Sequence, residues 1–180
     1  MKKMIVALMM CVAVSGFAQD WQGEYTWVGT PEEKELIEKT VEEGAQQVNR
    51  LIRSIARGRL VKSTKPVEKI KFTVEPPRPS GTPPREGNLT VTMTRSDGET
   101  PVSSVADGSK VEWKRKDGDK LIVTQTLEKN VLTQTFTDSD DSTRISKYVF
   151  AEDGKSFELQ VTINSSSLKT PLNYAITYRK

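Results

Sequence analysis

The sequence predicts a mainly β fold: an up-and-down antiparallel β-barrel of about ten strands, with one long helix inserted between strands 1 and 2. Three observations carry this expectation. Past Lys69 the chain is a succession of short alternating segments, separated by Gly-, Asp- and Asn-containing turns at a spacing of roughly 8–12 residues. One stretch, Thr30 to Leu60, has the apolar steps of three and four that mark a long helix. That stretch follows a single aromatic strand, so a meander comes after it, and curling the meander into a barrel would remove its edges; a sandwich or a half-open sheet wrapping the helix is the competing architecture.

Residues 1–18 read as a secretory signal peptide. Lys2 and Lys3 form a charged start, and Met4 to Val14 is an apolar run too short to span a bilayer. Gly16 and Ala18 place small residues where a signal peptidase needs them, so cleavage is expected after Ala18. Cys11 follows Leu8-Met9-Met10 and lacks the small neighbour of a lipidated cysteine. Cleavage leaves residues 19–180 as a single domain with no cysteine, and hence no disulfide. Loss of Lys2 and Lys3 takes 27 basic residues to 25 against 24 acidic ones, a formal charge of +1 in place of +3. Such a balance offers no electrostatic footprint for nucleic acid. No later segment is long and apolar enough to be a transmembrane helix, so the expected location is periplasmic or secreted, in a bacterium.

The first strand is expected within Gln19 to Val28, where Trp21, Gly23, Tyr25 and Trp27 alternate onto one aromatic face. Gly29-Thr30-Pro31 then turns the chain into helix 31–58. Thr30 is placed as N-cap, Pro31 as the first helical residue and Glu33 as the partner in a capping box. Leu36, Ile37, Val41, Ala45, Val48, Leu51, Ile52 and Ile55 make one apolar stripe. A helix of this length spans roughly 40 Å, so a kink or break is expected near Gly44, with Gly58 as the stop. Its charge is sorted: glutamates crowd the first half, whereas Arg50, Arg53, Arg57, Arg59 and Lys62 crowd the end, an order that complements the helix dipole. Arg53 and Arg57, one turn apart, are also a candidate two-pronged anion site.

Lys69 to Glu75 alternates as a half-buried strand. Pro76 to Gly87 is proline-rich and cannot extend a ladder; it suits a stiff hairpin connection or a site for a polyproline-reading partner. The meander follows. Leu89, Val91 and Met93 share a face, and Asp97-Gly98 turns the chain into a weak strand over Val102 to Ala106. Further strands are expected over Lys110–Lys116, Leu121–Leu127, Val131–Thr137, Thr143–Phe150, Phe157–Ile163 and Leu172–Tyr178.

Chemistry is narrowed by what is missing. The chain has no histidine, and so lacks the commonest general base and metal ligand. No glycine-rich phosphate loop is present. Asp138, Asp140 and Asp141 lack the glycine and distal glutamate of a calcium loop and read as a hairpin tip, so neither a metal nor a cofactor is expected. Trp113, Tyr148, Tyr174 and Tyr178 either fill the barrel or line a cavity whose hydroxyls hold the polar end of an apolar ligand.

The element order resembles the calycin group, the lipocalins and fatty-acid-binding proteins; the latter also place helical structure between their first two strands. The resemblance implies a lipocalin-like barrel. Fatty-acid-binding proteins often hold a ligand carboxylate with an Arg and a Tyr two residues apart in the last strand. Here Tyr178 is in register but position 176 is Ile, so that pair is not reproduced. The chain also resembles an uncharacterised family of exported bacterial proteins. The matching stretches are Ile55-Ala56-Arg57-Gly58-Arg59-Leu60 and Ser166-Ser167-Leu168-Lys169-Thr170-Pro171-Leu172-Asn173-Tyr174. That likeness implies the same fold and carries no activity. The expected function is therefore non-enzymatic binding of a small apolar or amphipathic ligand. The alternative is a structural or protein-interaction module of the cell envelope, with a filled barrel and a protein partner.

Overall fold

Side chains alternate in and out along the strands of the computed structural model, which describes residues 21–75, 88–115 and 118–180. The expected signal segment and the proline-rich stretch 76–87 lie outside the described residues. The strands are β1 (Gly23–Trp27), β2 (Lys69–Val74), β3 (Asn88–Arg95), β4 (Gly98–Val105) and β5 (Val111–Lys114), then β6 (Lys120–Glu128), β7 (Val131–Thr137), β8 (Thr143–Phe150), β9 (Ser156–Asn164) and β10 (Leu172–Arg179). They form one ten-stranded antiparallel sheet in the order β4-β3-β2-β1-β10-β9-β8-β7-β6-β5. Consecutive strands pair throughout except β4 and β5, the two ends of the sheet, and the first and last strands meet at a seam where Trp27 faces Tyr178.

The sheet curls until β4 and β5 nearly meet. Across that gap the Trp113 indole donates to the Pro101 carbonyl (3.0 Å), and the Gly108 amide, in the β4–β5 connection, donates to the Gln125 carbonyl of β6 (2.8 Å). The result is a nearly closed barrel. β4 starts earlier than the sequence predicts, because the left-handed backbone at Gly98 (φ 113°) lets it pair with β3 from its first residue. Pro101 hides this strand from a pattern search. It is tolerated because β4 is an edge strand.

One end of the barrel is packed with rings. Tyr25, Phe72, Tyr148, Phe157 and Tyr178 are almost wholly buried. Phe157 stacks on Tyr178 with centroids 4.8 Å apart, and Phe72 meets Tyr148 edge-on at 5.3 Å. The Tyr25 hydroxyl donates to the Gly154 carbonyl (2.7 Å), tying β1 to the β8–β9 turn.

Between β1 and β2 the predicted single helix is instead a helix–turn–helix: α1 (Pro31–Gln47), a 3-10 turn (Arg50–Ile52) and α2 (Arg53–Thr64). The break falls at Val48–Asn49, not near Gly44. Val48 is extended (φ −94°, ψ 162°), and the Asn49 side chain accepts from the Leu51 amide (3.0 Å), a cap that competes with continued helix. Gly44 sits inside unbroken α1 because a Cβ there would lie 2.7 Å from a Leu172 methyl and 2.8 Å from a Leu60 methyl. Gly58 lies within α2 and does not end it; the helix runs to Thr64, just before Pro66.

The break divides the apolar stripe. Ile37, Val41, Ala45 and Val48 are buried, whereas Leu36, Ile52, Ile55 and above all Leu51, which is 88% exposed, face solvent. Only half of the capping box forms. Thr30 Oγ1 accepts from the Glu33 amide (3.3 Å), but the Glu33 carboxylate accepts from the Trp27 indole (2.9 Å) and the Thr177 amide (2.5 Å). It clamps the start of α1 onto the β1–β10 seam.

Candidate functional site

Two strands carry their inward pattern past the apolar core to an arginine. On β3 the series Leu89, Val91, Met93 continues to Arg95; on β8 the series Phe150, Tyr148, Ser146 continues to Arg144. Both arginines line a pocket of about 310 Å3 between the end of α2 and the barrel rim opposite the packed rings. That volume falls at the lower end of the range for small-molecule sites. Met93, Trp113, Phe136 and Ile163 supply an apolar wall, with Trp113 and Phe136 in T-shaped contact at 5.7 Å.

Arg144 is held from two sides. It donates to the Ser63 carbonyl near the end of α2, and its Nη2 lies 3.4 Å from the Tyr174 hydroxyl. Arg95 has its pKa lowered, first by desolvation and then by the positive charge of Arg144, with Asp97 acting in the opposite sense. Among the described residues, neither Arg95 nor Arg144 forms an ion pair. Arg115, also on the wall, lies 3.6 Å from Asp119. Asp138 is the one carboxylate among the described lining residues, and its Oδ1 accepts from the Asp140 and Ser142 amides (both 2.9 Å). The aspartate loop is thus a hairpin tip held by its own backbone. Among the described residues, no group of three or more metal-ligating side chains gathers anywhere.

The sequence-predicted site residues are dispersed by this arrangement. Trp113 lines the pocket, and Tyr174 reaches it through Arg144. Tyr148 and Tyr178 belong to the ring-packed end, where their hydroxyls donate to Gln134 Oε1 (3.0 Å) and to the Val67 carbonyl (2.9 Å). Burial pushes both phenols up, Tyr148 to about 12. Arg53 is exposed on α2. Arg57 pairs with Glu42 (2.5 Å) and borders a second cleft of about 490 Å3 between α1 and α2, beside Trp27, Ile37 and Val41. Arg95 and Arg144 are the pocket residues that sequence reasoning missed. Their signal was parity: each is a cation on the apolar side of its strand.

No family model matches the chain, and no curated protein matches it in sequence. Solved structures do match in fold. The secretory abundant heat soluble protein 4 of Ramazzottius varieornatus is 16% identical, with 92% of this chain and 98% of that one covered and a TM-score of 0.53. The Schistosoma mansoni fatty acid binding protein, solved with arachidonic acid, is 15% identical over 92% and 98% of the two chains, with a TM-score of 0.52. Lipid binding protein 8 of Caenorhabditis elegans, in its apo form, is 11% identical over 91% and 96%, again with a TM-score of 0.52. At these identities the likeness establishes the fold alone: the chain shares the near-closed ten-stranded barrel of these structures.

Proposed function

We propose that this protein is an exported, non-enzymatic binder of a small amphipathic molecule, with the molecule's anionic end at Arg95 and Arg144 and its apolar part against Trp113 and Phe136. The observation that carries this reading is the pair of arginines without an ion-pair partner among the described residues, beside an apolar wall. A partly desolvated cation that is in no ion pair favours an arriving anion. The fold neighbours support the same reading, since two of those reported are a fatty acid binding protein and a lipid binding protein.

The test is displacement of a fluorescent sulfonated naphthalene probe by long-chain anions. Arg144→Gln and Arg95→Gln are each expected to weaken binding about tenfold or more, the scale of a lost charged hydrogen bond. Unchanged affinity in both would overturn the assignment. Export is supported by the charged start, the apolar run and the small residues before Gln19. It predicts a mature protein in the periplasm or medium whose amino-terminal sequence begins at Gln19.

A second reading, an interaction module of the envelope, is favoured by the exposed apolar side chains of Leu51, Ile52 and Ile55 amid a run of arginines. Its test is a cross-link from α2 to a defined envelope protein that Ile55→Glu abolishes. Equal cross-linking in wild type and variant would count against it.

A further inference from the structure

We infer that the barrel pocket is matched to a head group carrying two negative charges, a phosphate monoester, in preference to a single carboxylate. This rests on the amphipath-binding reading above and specifies the class of its ligand. The observations concern charge balance. Arg95 and Arg144 face the same space, and Lys62, at the end of α2, lines it with them. Among the described residues, none of these three is in an ion pair. Arg115 contributes less, because Asp119 lies beside it. Against these cations stand Asp97, whose negative charge partly offsets that of Arg95, and Asp138, which is turned into its own loop by two amide hydrogen bonds.

A monoanion entering this pocket compensates one guanidinium and leaves the other repelled and partly desolvated. A dianion compensates both. Its three terminal oxygens also offer acceptors enough for two guanidinium forks and the Lys62 ammonium, where a carboxylate offers two oxygens. The apolar wall of Trp113, Phe136 and Ile163 then takes the acyl or aromatic body.

The test is calorimetric titration of the purified full chain with four probes below their micellar concentrations: 1-oleoyl lysophosphatidate, oleate, 1-oleoyl lysophosphatidylcholine and inorganic phosphate. Lysophosphatidate is expected to bind at least tenfold more tightly than oleate or the zwitterionic lipid. Lys62→Gln, at an exposed position, is expected to weaken lysophosphatidate at least threefold more than it weakens oleate. Equal binding of oleate and lysophosphatidate, both weakened in Arg144→Gln, would overturn the dianion inference and leave the amphipath reading standing. Inorganic phosphate binding as tightly as the lipid would keep the dianion site and overturn the amphipath reading. Failure of all four probes would overturn both.

Discussion

Tyr148 and Gln134 meet in the closed part of the barrel, where neither has access to water. The Tyr148 hydroxyl satisfies Gln134 Oε1, while Gln134 Nε2 has no partner among the described residues. Tyr148→Phe therefore strips the amide of its remaining bond and is expected to cost about 1–2 kcal/mol in urea denaturation. Adding Gln134→Leu should recover most of that loss, since removing both polar partners is nearly neutral where removing one is not. The same burial governs alkaline stability. Tyr148 and Tyr25 are raised from 10.0 to about 12, chiefly by desolvation, and Tyr178 is raised further. Above pH 10 the unfolded chain releases these phenolic protons while the folded one retains them. Their contribution is thus complete below about pH 10 and falls as pH rises to about 12. Denaturation midpoints measured alongside phenolate absorbance should show that decline. At this scale the sequence was partly legible. The four tyrosines were visible, but the ends to which their hydroxyls point were not, because parity along a strand says which face a residue occupies and not what lies opposite.

The helical insertion is the element that the pattern misjudged. Its apolar steps run unbroken from Leu36 to Ile55, yet a single polar side chain divides them. Asn49 caps the 3-10 turn, so Asn49→Ala should cost about 1 kcal/mol and be measurable by thermal denaturation. The capping signature at Thr30 was read correctly as a helix start, but Glu33 serves the sheet as well as the helix. Glu33→Ala removes charged acceptors from Trp27 and Thr177 and is expected to cost about 2–3 kcal/mol, with a changed Trp fluorescence signal. Gly44 looked like a hinge and is a contact. Gly44→Val would push β-branched bulk against Leu172 and Leu60, a loss of about 1–3 kcal/mol despite the better intrinsic helix propensity of valine. Strands β6 to β10 were legible nearly residue for residue, because each pairs with its chain neighbour across a short turn.

The whole barrel sorts its interior by end. Rings fill one end, and the other leaves a cationic pocket beneath the end of α2. The question of a hollow or filled barrel thus has a different answer at each end. A ligand held there ties α2, β3 and β8 together. At a hundredfold excess over its Kd it should add about 2.7 kcal/mol of stability, read as a rise in Tm of roughly 5–10 °C that Arg144→Gln abolishes. No helix among the described residues is long and apolar enough to cross a membrane.

The seam has a consequence for how the molecule comes into being. β1 lies between β2 and β10, and β10 is the last strand of the barrel to be synthesised. Until β10 is in place, the aromatic strand β1 has a ladder partner only on its β2 side. That pairing joins segments far apart in the sequence, so the loop-closure entropy it must overcome makes the seam a late step in folding.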